Sequence, residues 1–210
     1  MSRLPAHRLH AIVDVHVAAR TGLDPADLAR AFLDGGGRVL QLRAKEWPSG
    51  RCLELADRLV ALAADYSALV IVNDRVDIAR MSNAGGVHVG QEDLLPSVAR
   101  RQLGPDAVVG FSTHSIPQIE AALLEPVSYV AVGPVFGTST KDTGYGAVGL
   151  DLVRGASRMA GAMPIIAIGG VTLDNARSAI DAGAAAVAVI SDLLAGDPRE
   201  RVKAFLRVLE

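Results

Sequence analysis

Eight short apolar runs, rich in β-branched residues, recur along this chain, and segments with helical spacing separate them. The runs are LHAIVDV (9–15), RVLQLRA (38–44), ALVIVND (68–74), GVHVG (86–90), AVVGFST (107–113), YVAVGP (129–134), PIIAIGG (164–170) and AAVAVIS (185–191). Between them lie stretches such as PADLARAFLDGG, RCLELADRLVALAADY and LDNARSAIDAGA, with apolar residues every three to four positions. The runs are nearly continuous rather than alternating. Both faces of such strands are buried, as in a parallel sheet covered by helices. Eight strand-then-helix units in 210 residues predict an α/β fold, a closed (β/α)8 TIM barrel, in one domain over 1–210. The rival, a doubly wound open sheet, uses fewer strands and brings a Gly-rich turn after its first strand. LHAIVDVHVAAR has no such turn. Helix starts are signalled by Asp24 before Pro25 and by Thr172 before LDNA.

Composition narrows the function classes. The chain is 50% hydrophobic but only 4% aromatic, which suits small and branched side chains packed in layers. Its net charge of -2 provides no basic face, so no nucleic-acid partner is expected. Cys52 is the only cysteine, which excludes an internal disulfide or a cysteine metal cluster and reads as a buried small residue on a helix. The stretch MSRLPAHRLH lacks an apolar signal core, and no apolar run approaches membrane-spanning length. A cytoplasmic protein with no membrane partner is therefore expected. Nothing in the chain sets the oligomeric state, and a homodimer is compatible with it.

In a barrel of this kind the functional face is the mouth where strands end and the loops into helices begin. Polar residues collect at those ends. Gln41, Arg43 and Lys45 are spaced by two on the second run, a period that keeps side chains on one side of a strand. The third run ends in Asn73 and Asp74, the fourth leads into Gln91, Glu92 and Asp93, and the fifth ends at Ser112 before Thr113 and His114. After the sixth comes GTSTKDTGYGAVG, with Thr138, Ser139, Thr140 and Lys141. The last two runs end in Gly169-Gly170 and Ile190-Ser191.

Taken singly, Asp74 reads equally as a cap or a partner of Arg75, and Asp93 as part of a helix start in EDLLP. Together, on adjacent strand ends, they are harder to explain that way. Two carboxylates without His or Cys partners favour a hard cation, and Mg²⁺ takes one or two carboxylates plus phosphate oxygens. Arg43, Lys45 and Lys141 would bind an anion that also meets the metal, and a diphosphate fits. Paired acids for general acid-base chemistry would leave those three cations unexplained. The Gly169-Gly170 pair lets backbone N–H groups approach a second anion, although close packing also selects glycine. His88 reads as a hydrogen-bonded barrel histidine, and His114 as either a ligand contact or part of a helix start.

The motifs QLRAK, IVND, GVHVGQED, GFSTHS, VGPVFGTSTK, IAIGG and AVISD, in this order and each at a strand end, resemble those of the thiamine phosphate synthase family over essentially the whole chain. The resemblance implies a (β/α)8 transferase of thiamine biosynthesis with two small phosphorylated heterocyclic substrates. It would join a hydroxymethylpyrimidine diphosphate to a thiazole phosphate and release pyrophosphate. It further implies that Gln41, Arg43, Lys45, Asn73, Ser112 and Lys141 bind the pyrimidine diphosphate, with Arg43, Lys45, Ser112 and Lys141 catalytic. Mg²⁺ would sit on Asp74 and Asp93. Thr138, Ser139, Thr140, Gly170, Ile190 and Ser191 would hold the thiazole phosphate. The first strand departs from the family's LYLVTD-like opening, with His10 and Val13 where Tyr and Thr stand. A thiazole tautomerase or a non-catalytic thiazole phosphate sensor on the same barrel is the alternative. Retention of Arg43, Lys45, Asp74, Asp93 and Lys141 argues for the synthase.

Overall fold

The computed structural model describes residues 6–137 and 146–210. Thr138, Ser139, Thr140 and Lys141 lie outside the described residues. The eight expected runs are eight parallel strands that close in sequence order, β1 to β8, with β1 paired to β8. They are β1 Leu9–Asp14, β2 Val39–Arg43, β3 Leu69–Asn73, β4 Gly86–Val89, β5 Val108–Thr113, β6 Tyr129–Val132, β7 Ile165–Ile168 and β8 Ala186–Val189. The helices are α1 Val15–Arg20, α2 Pro25–Asp34, α3 Ser49–Ala64, α4 Val76–Met81, α5 Pro96–Leu103, α6 Ile116–Leu123, α7 Gly149–Ala160, α8 Ala176–Asp181 and α9 Pro198–Leu209. A short 3-10 turn, Ser191–Leu194, follows β8.

Strand alternation separates two cores. Leu9, Ala11 and Val13 of β1 pack outward with the apolar faces of the helices, including Phe32, Leu59 and Phe205. Ile12 faces inward with Val39, Ile71, Val108, Tyr129 and Ile166, filling the barrel. Both faces of the strands are thus apolar, which is why the runs read as continuous. Fully burying one such Leu or Phe contributes roughly 1.5–3 kcal/mol.

Asp24 caps α2 as its sequence signalled, accepting from the N–H groups of Ala26 and Asp27 ahead of Pro25. Thr172 does not start a helix. Its N–H is taken by Asn175 Oδ1 at 2.8 Å and its carbonyl accepts from Asn175 and Ala176, so a turn fills 173–175 and α8 begins only at Ala176. The Asn175 side chain bridges Thr172 N–H and Gly170 O across this turn. Among the described residues, no helix is long and apolar enough to cross a membrane.

Candidate active site

Parallel closure brings all eight strand ends to one mouth, where a cleft opens. Gln41 and Arg43 of β2, Asn73 of β3 and Ser112 of β5 line one side of it. Gly170, Ile190 and Ser191 line the other, beyond β7 and β8. Lys45 lies past the end of β2, so the period-two rule that aims Gln41 and Arg43 inward no longer applies to it. With Asp74 it lines an adjoining pocket, to which Asn73 also contributes.

Arg43 is held by a carboxylate that the site expectations left out. Asp14, at the end of β1, is 1% exposed and pairs its Oδ2 with Arg43 Nη1. Its Oδ1 accepts from the N–H groups of His16 and Val17 at 2.9 and 3.0 Å, capping α1. One buried acid therefore fixes both the first helix and the guanidinium. Arg43 Nε is buried with no hydrogen-bond partner. An unpaired buried donor is costly, and beside an anion-sized cleft it is an argument for a ligand acceptor there. Asp14 was findable by the rule that singled out Asp74 and Asp93, an acid ending an apolar run.

The two candidate metal ligands stand differently. Asp74 adopts φ 65°, a left-handed conformation that Asp tolerates better than most residues, and its N–H donates to His88 O at 2.7 Å. Its carboxylate meets Lys45 Nζ at 3.5 Å, with the side chains 21% and 48% exposed. Arg75, a possible rival partner, donates instead to both oxygens of Asp77 and to Ser49 Oγ. Asp93 Oδ2 accepts from Gly90 N–H at 2.7 Å, which closes the turn after β4 rather than starting α5, whose first residue is Pro96. Among the described residues, no group of three or more His, Cys, Asp or Glu could hold a metal ion. A cation here would use these two carboxylates and draw its remaining oxygens from water and ligand.

His88 is the hydrogen-bonded barrel histidine expected, with Nδ1 2.9 Å from Tyr129 Oη and Nε2 2.7 Å from Ser112 Oγ. Burial pushes the Tyr129 phenol well above its usual range, so it stays protonated. His10 lies edge-on to Tyr129 with ring centroids 5.4 Å apart, and burial pushes its pKa down to about 3. The barrel floor beneath the cleft is thus polar but uncharged at these two residues. His114 lines the cleft and bonds Gly133 O through Nδ1, while its N–H donates to Gln118 Oε1.

On the far side, Gly169 and Gly170 have φ of 93° and 65°. A Cβ at Gly169 would lie 2.4 Å from Pro134, and one at Gly170 2.4 Å from Gly137 O. Close packing of the loop after β6 therefore selects glycine here, and the same bare backbone borders the cleft.

Residues 9–193 match the family described as "Thiamine monophosphate synthase". A thiamine-phosphate synthase of Koribacter versatilis is 41% identical over 213 aligned residues, covering 99% of this chain and 98% of the relative. Another, from Chlorobium phaeovibrioides, is 44% identical over 191 residues, 90% of each chain. The solved structure of thiamine phosphate pyrophosphorylase from Pyrococcus furiosus superposes with a TM-score of 0.86 at 30% identity, covering 97% of this chain and 96% of that one.

Proposed function

Because the chain belongs to the thiamine monophosphate synthase family, we propose that its cleft joins a hydroxymethylpyrimidine diphosphate to a thiazole phosphate, releasing pyrophosphate. It is an enzyme, a transferase of thiamine biosynthesis. The observation that carries the substrate reading is the two-sided mouth. A fixed guanidinium with amide and hydroxyl groups faces bare backbone across one cleft, which suits two substrates held in register.

On the first side, Arg43 and Lys45 bind the diphosphate, and Gln41, Asn73 and Ser112 orient the pyrimidine. Lys141, outside the described residues, is assigned to the same diphosphate. On the second side, Gly170, Ile190 and Ser191 hold the thiazole phosphate, to which Thr138, Ser139 and Thr140, outside the described residues, are also assigned. The donor set of Asp74 and Asp93, two carboxylates with no nitrogen or sulfur ligand, fits Mg²⁺. When bound, Mg²⁺ would supply charge neutralisation to the departing pyrophosphate. Arg43, Lys45 and Lys141 act toward the same negative charge, which is greatest as the carbon–oxygen bond to the diphosphate breaks. The electron-rich aminopyrimidine supports positive charge on that carbon, so ionisation precedes attack by the thiazole nitrogen. No protein nucleophile is required. A homodimer and a cytoplasmic location agree with this reading.

Pyrophosphate release by the purified protein tests this reading. Release that needs both substrates and Mg²⁺ is expected. Isomerisation of the thiazole phosphate without release would move the activity to a tautomerase.

A further inference from the structure

Tyr129, His88 and Ser112 stand in a line from the barrel interior to the cleft, and their placement depends on a glycine. His88, Gly110 and Tyr129 are register neighbours across β4, β5 and β6. A Cβ at Gly110 would lie 2.1 Å from Tyr129 Cζ and 2.6 Å from His88 Nδ1. The missing side chain on the middle strand is what lets the phenol and the imidazole meet across it. Their rings lie 17° from parallel with centroids 5.6 Å apart. Ser112, two residues beyond Gly110 on β5, receives the other ring nitrogen and lines the cleft.

We infer that Tyr129 and His88 are positioning residues, which fix the Ser112 hydroxyl as a hydrogen-bond donor into the cleft. A neutral imidazole has one donor and one acceptor nitrogen, so each of its two bonds sets the sense of the other. Tyr129 keeps its proton, and among the described residues the hydrogen-bond partner of its buried hydroxyl is His88 Nδ1. Its own O–H then goes to His88 Nδ1, which must be the acceptor. Nε2 carries the ring hydrogen and donates to Ser112 Oγ. The serine hydrogen is directed away from the ring, into the cleft. The Ser112 hydroxyl therefore donates to a lone-pair acceptor of the substrate, a pyrimidine ring nitrogen or a phosphate oxygen.

This inference rests on reading the cleft as the pyrimidine diphosphate site, but its first test needs no turnover. Two-bond ¹H–¹⁵N correlation of the imidazoles in the ligand-free protein, assigned by the peak lost in His88→Gln, reports which ring nitrogen of His88 bears hydrogen. Hydrogen on Nε2 alone near pH 7 is expected. Hydrogen on Nδ1, or on both, overturns the inference whatever the enzyme's activity.

The second test is kinetic. Tyr129→Phe preserves ring volume and removes the donor. It should lower kcat/KM for the pyrimidine diphosphate about tenfold, the effect of one well-made hydrogen bond, and leave the KM for the thiazole phosphate unchanged. Ser112→Ala should lose at least as much, and the double variant no more than Ser112→Ala, because Tyr129 acts through the serine. Losses that multiply would mean that Tyr129 acts by another route and would overturn the positioning role. Inorganic pyrophosphate as inhibitor locates the acceptor. Weaker inhibition of Ser112→Ala puts it on the diphosphate, and unchanged inhibition with lowered kcat/KM puts it on the pyrimidine. Neither effect in Ser112→Ala refutes the donor role.

Discussion

Removing the Asp14 carboxylate should destabilise the protein far more than losing a surface ion pair would. Asp14→Ala takes away the acceptor for two α1 N–H groups, and a lost cap costs about 1 kcal/mol. It also leaves the Arg43 guanidinium, 12% exposed, without its carboxylate. Breaking a buried pair from one side costs about 3–5 kcal/mol, and Arg43's residual contact with water argues for the lower end. The sum is about 4 kcal/mol, which at roughly 2–4 °C per kcal/mol for a chain of this size lowers Tm by roughly 8–16 °C. Asp14→Asn keeps an oxygen for the cap and should fall by about 1 kcal/mol less. Thermal unfolding of the three proteins, followed by circular dichroism, gives both differences. A Tm for Asp14→Ala within about 3 °C of the parent, by the scaling just used, would show that the pair and the cap do not contribute as argued.

Three further perturbations separate the parts of the site. Asp93→Asn retains an acceptor for Gly90 N–H while removing the charge proposed for Mg²⁺ binding, so turnover should fall by about 100-fold or more with Tm little changed; turnover near the parent's in a pyrophosphate-release assay would remove Asp93 from the metal site. Gly170→Ala forces a side chain onto a φ of 65° and against Gly137 O. Its KM for the thiazole phosphate should rise about tenfold while that for the pyrimidine diphosphate holds, and equal changes in both would contradict the two-sided cleft. His10, depressed to about 3 by burial and then by the charge of His7, titrates near 6.5 once unfolded. Between those values the unfolded chain binds a proton that the native ring refuses, so this stabilisation is complete above pH 6.5 and is lost as pH falls toward 3. At about 1.4 kcal/mol per pH unit, roughly 3 kcal/mol is gone by pH 4.5. Urea midpoints at pH 7 and 4.5 should therefore differ less in His10→Phe than in the parent, and equal differences would refute the assignment.

The strands were legible because a barrel buries both faces of each one, and each run extends only a residue or two past its strand. The mouth was legible for the same reason, since Arg43 and Asn73 end their strands, Gln41 and Ser112 lie within two residues of the ends of theirs, and all four line the cleft. Lys45 misled the two-residue period because β2 stops at Arg43, and backbone beyond a strand end has no pleat to carry the alternation. Thr172 looked like a cap because a hydroxyl before LDNA resembles a helix start, but residues 173–175 form a turn and α8 begins only at Ala176. Tyr129 was hidden in YVAVGP as one more apolar strand residue. Its contact with His88 depends on Gly110 lying between them in register, which no single segment displays.

Closure of the barrel also bears on how the chain reaches its native state. The β1–β8 seam joins Leu9 to Val187, His10 to Ala188 and Ala11 to Val189, the most distant pairings along the chain. Until it forms, a growing sheet has two open edges, and β8 presents Ala186–Val189, an uncharged run of the kind that pairs with foreign strands. Loop-closure entropy makes such a distant seam a late event. Refolding yield should therefore be sensitive to protein concentration, whereas the native barrel, with every strand paired on both sides, offers no edge for such pairing.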